Sequence, residues 1–326
     1  MDKKLKPKNI IILLLIFALI LVGLFSVVKI VENLMHGGKA PEATVPSKTI
    51  LRDGVEYYPR QDMLVILVAG IDETGPVQHS GSYNNPGEAD MVSLVIFDQT
   101  AEKIDVLALN RDTMLDMPVL GIGGKPAGTR HGQLALAHTY GSGLTDSGEN
   151  LKKTVSDFLY GLKIDYYVTM NMDAIALFND AVGGVTVKVE DDFSAIDPTI
   201  GTGTVTLNGQ QAISFLRSRQ GLGDQLNLSR MERQKQYMVS FVESLRTTLS
   251  ADSAAALTIY QELSPYMVTD LSDNAMLGLV DFYRDYSMGT TYTPDGENVV
   301  KEYMEYHVDA DALDKLILQL LYAPKS

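Results

Sequence analysis

The chain has 326 residues, a formal net charge of −14 and no cysteine. That length buries a full core without covalent staples, and the lack of cysteine excludes disulfides and thiol chemistry. The acidity argues against nucleic acid as a partner and makes any local cluster of arginine stand out.

Residues 1–9 form a basic tail, with Lys3, Lys4, Lys6 and Lys8 against Asp2. Ile10–Val28 follows as 19 uncharged residues. As a helix this run spans roughly 28 Å, close to the hydrocarbon core of a bilayer. The lysines before it keep the N-terminus in the cytoplasm. A cleaved signal peptide would have a shorter apolar core and a small-x-small site just after Val28, which the sequence lacks. The expectation is an uncleaved transmembrane helix at 10–28 in a single-pass cell-membrane protein whose remaining chain is extracellular.

Residues 29–60 read as a stalk, interrupted by Gly37-Gly38, Pro41 and Pro46. Residues 61–326 read as a single α/β domain with a central mixed sheet flanked by helices. Met63–Ala69, Met91–Phe97 and Ile104–Leu109 are apolar runs suited to buried strands, the last two joined as a hairpin. Helices are predicted over Gln133–Tyr140 and Gly148–Tyr160, the second with Leu151, Val155, Phe158 and Leu159 on one face. A strand at Tyr166–Met170, a helix at Ala174–Val182 and a strand at Val185–Val189 follow. Asn208 is placed to cap a helix running to about Leu216. Residues 253–321 read as mostly helical, with a strand at Tyr303–Val308.

If the first three strands are antiparallel neighbours, one sheet edge collects Asp72, Asp90, Arg111 and Asp112. Close carboxylates repel unless a cation lies between them, and oxygen-only ligands favour a hard ion such as Mg²⁺. The plainer alternative is strand-end acids that cap turns or pair with Arg111. A second cluster lies between Ile213 and Gln236, with Arg217, Arg219, Arg230, Arg233 and Lys235 against Asp224 and Glu232. Ser229–Glu232 reads as a capping box that starts a helix with Met231, Met238, Val242, Leu245 and Leu249 on its apolar stripe. Arg230, Arg233, Gln234 and Tyr237 fall on another face. Arg230 then stands at a helix N-terminus, where anions are favoured, and arginine's fork suits phosphate oxygens. A solvated basic face is the alternative.

In this order, the segments Gly70–Asp72 (GID), Asp90 before a strand, Asn110–Thr113 (NRDT), Asp165–Asp173, Gly183–Phe193 (GGVTVKVEDDF), Leu207–Arg219 (LNGQQAISFLRSR) and Ser229–Gln236 (SRMERQKQ) resemble the LytR–CpsA–Psr family of cell-wall polymer ligases. The resemblance covers about Leu64 to Leu245, with a helical tail behind it. It implies an α/β fold enclosing an apolar tunnel for a polyprenyl chain. It also implies transfer of a glycopolymer of teichoic acid or capsular type, with one phosphate, from a polyprenyl-pyrophosphate carrier to peptidoglycan. Carried over by position, Asp72 and Asp90 form the Mg²⁺ side, with Mn²⁺ as an alternative ion. Arg111, Arg217, Arg219, Arg230 and Gln234 form the pyrophosphate side. The residues expected to act on the reacting groups are Arg111, Asp112, Arg217 and Arg219, Asp112 by orienting Arg111. Two positions depart from the family pattern: Glu88 stands where an arginine is usual, and Gln133 where a lysine is usual, which implies a different donor, a second cation recruited by Glu88 or a weakened catalyst; His131 and His138 are candidate donors, although a lone histidine is more often structural. The rival readings are a non-catalytic polyprenyl-phosphate-binding module, a lipid pyrophosphate hydrolase and a scaffold for other wall-synthesis proteins.

Overall fold

The computed structural model describes residues 49–218, 255–272 and 286–325, together with residues 233, 236, 237, 240, 241, 243–245, 247, 248 and 251. The expected membrane helix at 10–28 lies outside these residues. No helix among the described residues is long and apolar enough to cross a membrane. Where one domain was expected, the chain divides into two compact units. The larger contains described residues 49–170, 268–272 and 286–325, and the smaller is built on 171–267.

The larger unit holds a six-stranded sheet in the order β11 (Met267–Thr269), β8 (Tyr166–Asn171), β3 (Met63–Ile71), β4 (Ala89–Asp98), β5 (Lys103–Leu109) and β12 (Ser287–Tyr292). β3 and β4 are antiparallel, with Leu67 opposite Leu94, and β4 and β5 are antiparallel, with Leu94 opposite Leu107. β12 joins β5 in parallel, so the sheet is mixed. The three central strands are buried almost end to end. On one face Val65, Leu67, Leu94, Ile96 and Leu107 join Leu151 and Val155 of the helix Thr145–Phe158, and Leu313 and Ile317 of the helix Ala310–Leu321. Side chains spaced by two along the strands meet side chains spaced by four along the helices, which is why these two sequence periods close one core.

Three expectations in this unit are corrected. Residues 50–59 are not stalk: β1 (Ile50–Arg52) and β2 (Val55–Pro59) form a hairpin, and β15 (Tyr322–Pro324) pairs with β2. The Asp53-Gly54 turn closes that hairpin, both residues at positive φ. Gln133–Tyr140 is not an α-helix. β7 (Pro126–Gln133) pairs with β6 (Met114–Leu120), and only Leu134–Ala137 forms a 3₁₀ turn. Its amides at Leu134 and Ala135 are captured by the Thr113 and Arg111 carbonyls instead of a helical ladder. Among the described residues of 268–321 the expected strand is present as β14 (Met304–Val308), but β12 and β13 (Gly296–Val300) are strands where helix was expected. β12 exists through its partner strand and through Asp105, whose carboxylate accepts the Thr290 amide at 2.7 Å.

In the smaller unit the helix Asp173–Ala181 packs on the helix Gly209–Arg217. Gly209 permits the approach, since a Cβ there would lie 2.6 Å from the Ala176 carbonyl oxygen. Asn208 caps the second helix as expected: it accepts the Gln211 amide at 3.0 Å while the Gln211 side chain accepts the Asn208 amide at 2.9 Å. β9 (Val185–Val189) and β10 (Gly203–Leu207) form an antiparallel ribbon. Phe193 stacks on Phe215 at 5.6 Å between centroids, and Phe178 meets Phe241 edge-on at 6.0 Å.

Candidate functional site

Two antiparallel pairings return the chain to one edge of the six-stranded sheet at three places. Ile71 at the end of β3 faces Ala89, and the Asp72 amide donates to the Glu88 carbonyl at 2.9 Å. Gly70 faces Met91, so one residue, Asp90, is extra on β4. It is the bulged residue of the pair, a feature that re-aims a side chain at the end of a ladder. β5 ends at Leu109, opposite Val92, and Asn110–Thr113 turns sharply beside it. In that turn the Asn110 side chain accepts the Asp112 amide at 3.0 Å, and the Asn110 carbonyl accepts the Thr113 amide at 3.0 Å.

Arg111 is the centre of this edge. Its Nη2 donates to Glu88 Oε2 at 2.6 Å, its Nη1 is ion-paired with Asp90 Oδ1, and its Nε lies 3.7 Å from Asp112 Oδ1. All four side chains are part-exposed, at 32% for Arg111, 41% for Glu88, 31% for Asp90 and 24% for Asp112. One guanidinium therefore faces three carboxylates, leaving a local excess of negative charge at a solvent-facing edge. Gln133 supports the arrangement from β7. Its amide nitrogen lies 2.7 Å from Asp112 Oδ1 and 2.7 Å from the Met304 carbonyl. The β13–β14 hairpin is also held by the Tyr306 amide, which donates to the Asp112 carbonyl at 2.8 Å.

Behind Glu88 the loop is fixed by buried groups. The Asn85 side chain donates to the His138 carbonyl at 2.8 Å and the Gly141 carbonyl at 3.0 Å, and accepts the Gly87 amide at 2.8 Å. His138 Nδ1 lies 2.9 Å from the Gly87 carbonyl, so that nitrogen carries the proton. Burial pushes the His138 pKa down, keeping the ring neutral at pH 7. His131 is exposed and pairs with Asp116 at 2.8 Å across the β6–β7 hairpin. His138, neutral and bonded to the Gly87 carbonyl, supplies no positive charge to the Arg111 cluster, and the described partner of His131 is Asp116.

Thus Asp90, Arg111 and Asp112 converge, with Asp72 one residue beyond the last β3 pairing and exposed. Arg217 sits in the smaller unit, exposed at the C-terminal end of its helix, where a cation also complements the helix dipole. Arg219, Arg230, Gln234 and the Ser229–Glu232 capping box lie outside the described residues. Arg233, expected on a basic face, is buried instead. It donates to the Phe215 carbonyl at 3.1 Å and the Ser218 carbonyl at 2.5 Å, and pairs with Asp191 at 2.6 Å. Tyr237 is buried with it, donating to Asn179 Oδ1 at 3.0 Å. The inward stripe contains Arg233, Tyr237, Phe241 and Leu245. The spacing of four was present in the sequence, but an arginine inside is outside the ordinary burial pattern.

Among the described residues no three His, Asp or Glu side chains form a group able to hold a metal ion. Asp72 and Asp90 nonetheless offer the hard oxygen donors that suit Mg²⁺, which takes one or two carboxylates and completes its shell with water and substrate phosphates. The donor chemistry of Asp72 and Asp90 is that of such a partial shell, with Asp90 ion-paired to Arg111.

The LytR_cpsA_psr family profile matches residues 27–320. The chain belongs to the LytR–CpsA–Psr family. Among its relatives, a protein of Oceanobacillus iheyensis named polyisoprenyl-teichoic acid–peptidoglycan teichoic acid transferase TagU is 26% identical over 276 residues, covering 83% of this chain and 79% of its own. The like-named TagU of Halalkalibacterium halodurans is 28% identical over 240 residues, covering 73% and 70%. Solved structures share the fold at low identity. Bacillus subtilis TagV aligns with a TM-score of 0.56 and 22% identity over 80% of this chain and 96% of its own. TagT bound to LIIa-WTA aligns with a TM-score of 0.53 and 21% identity over 79% and 89%. The mixed central sheet of this chain is that of a LytR–CpsA–Psr protein.

Proposed function

We propose that this protein transfers a phosphate-linked glycopolymer from a polyprenyl-pyrophosphate carrier to peptidoglycan on the outer side of the cell membrane. The observation that carries the reading is Arg111, a forked cation held at a solvent-facing sheet edge beside oxygen donors, in a family whose relatives are named as teichoic acid–peptidoglycan transferases. Arg111 would take phosphate oxygens of the donor through its paired N–H groups. Asp112, bonded to Gln133, would keep the guanidinium aimed at them. Mg²⁺ held by Asp72 and Asp90, or Mn²⁺ in its place, would neutralise charge on the pyrophosphate. Arg217, Arg219, Arg230 and Gln234 are the further candidates for pyrophosphate contact. Phosphoryl transfer asks a protein chiefly for positioning and charge stabilisation, and these residues supply both. The polyprenyl chain would occupy an apolar tunnel in the fold. Residues 10–28 would anchor the protein in the leaflet that holds the carrier and so raise the effective concentration of site and donor.

Alanine at Arg111 and at Arg217, tested in full-length protein at equal membrane abundance, is expected to abolish or strongly reduce glycopolymer attachment to the wall. Undiminished attachment in both variants would refute the site assignment. A non-catalytic polyprenyl-phosphate binder is the second reading, favoured by the three carboxylates on Arg111. It predicts retention of the lipid with no transfer when Mg²⁺ is supplied.

A further inference from the structure

We propose that Glu88 is a gate on Arg111: its carboxylate competes with the incoming donor phosphate and must leave before the arginine can bind. The inference rests on the function proposed above and names a determinant of donor affinity at that same site. Arg111 presents its outer N–H groups to Glu88 and Asp90. The Glu88 contact, at 2.6 Å, occupies Nη2, one arm of the fork that bidentate phosphate recognition uses. Of the three carboxylates around Arg111, Glu88 is the most exposed, at 41% against 31% and 24%. It also has the longest side chain, and it stands just before β4, whereas Asp90 is fixed within the strand and Asp112 is held by Gln133. Glu88 is therefore the partner that can swing away at least cost, since an ion pair this exposed is worth little. Its backbone stays put, because its neighbour Gly87 is tied through Asn85 and His138 and packs so tightly that a Cβ there would lie 2.7 Å from Ile71.

While Glu88 is in place the guanidinium is more than neutralised, and only an anion that outcompetes a carboxylate engages Nη2. A pyrophosphate, with more negative charge on adjacent oxygens, does so; a singly charged group is held back. The gate thus costs affinity and gains selectivity for highly charged donors.

The test uses full-length protein in detergent micelles with EDTA present and geranylgeranyl pyrophosphate as the probe. Glu88→Gln keeps shape and exposure and removes the competing charge. It is expected to bind the probe roughly fivefold more tightly than wild type, the scale of a part-exposed ion pair, with the gain shrinking as salt is raised. In an Arg111→Gln background the same substitution is expected to change binding less than twofold. Glu88→Asp, with a shorter reach, is expected to fall between wild type and Glu88→Gln. Equal or weaker binding by Glu88→Gln would overturn the gate, as would a gain that persists without Arg111. If wild type binds the probe and Glu88→Gln matches it, only the gate fails. If no variant binds, with or without Mg²⁺, the functional reading fails and the gate with it.

Discussion

Arg60→Ala removes the guanidinium that neutralises two carboxylates at the other end of the β3–β4 pair. Arg60 makes two bonds of 2.9 Å to Asp98, and bonds of 2.6 and 3.1 Å to Asp62. The Asp98 side chain is only 4% exposed. It also accepts the Ala101 amide at 2.9 Å. Loss of Arg60 strands a buried charge, a change that costs about 2–4 kcal/mol and lowers the melting midpoint by about 5–10 °C. The pH dependence gives the sharper test. Arg60 holds Asp62 below the ordinary carboxylate range. Burial pushes Asp98 upward, but Arg60 and the Ala101 amide outweigh it and its pKa is also lowered. Both carboxyls thus contribute stability that is complete above about pH 4, the unfolded carboxylate range, and is lost as the pH falls through their lower folded values. In Arg60→Ala burial dominates at Asp98, so the variant gains from protonation what wild type loses. Differential scanning fluorimetry from pH 7 to pH 3 should show a gap between the two proteins that is largest near neutrality and closes in acid. Asp98→Asn placed in the variant should recover part of the loss. A gap under 1 °C at pH 7, or one that stays constant into acid, would show that Arg60 does not neutralise a buried Asp98 charge.

A Cβ at Gly148 would lie 2.1 to 2.8 Å from three ring carbons of Tyr167, which is fully buried and bonded through its hydroxyl to the Thr145 carbonyl. Gly148→Ala should therefore cost about 3 kcal/mol, read as a lower melting midpoint. Gln133→Ala cuts the bonds to Asp112 and to the Met304 carbonyl. It should speed amide exchange in residues 296–308 with a global stability change of only about 1 kcal/mol, and unchanged protection there would show that the bridge does not hold the hairpin. Asn208→Ala removes the side-chain acceptor of the Gln211 amide, one half of the capping box, and should destabilise the smaller unit by about 1 kcal/mol, with Asn208→Ser restoring most of it.

The apolar strands were legible because each is a run too long and too β-rich for a surface segment, and Val185–Val189 has its expected bounds. Antiparallel pairing of those strands was enough to bring Asp90, Arg111 and Asp112 together. What stayed hidden depended on partners distant in the chain. β7 reads as polar coil, PAGTRHGQ, and is a strand only because β6 lies beside it. β12 is recruited by β5, and the extra residue at Asp90 is a property of the β3–β4 register. Arg233 misled for a different reason. Its charge signalled a solvated or anion-binding face, while its three hydrogen-bonding partners and the rings of Phe193 and Phe215, at 5.5 and 6.0 Å, make it an interior side chain. Glu88 was visible as an acid where the family has an arginine, but its contact with Arg111 required the fold.

The most direct measurement reconstitutes the full-length protein in membranes with a radiolabelled polyprenyl-pyrophosphate-linked glycopolymer, peptidoglycan and Mg²⁺, and follows where the label goes. Label should be joined covalently to peptidoglycan by wild type, and none should be joined by Arg111→Ala. Label that stays on the carrier, or is released free into solution at the wild-type protein's hands, would contradict the proposed transfer.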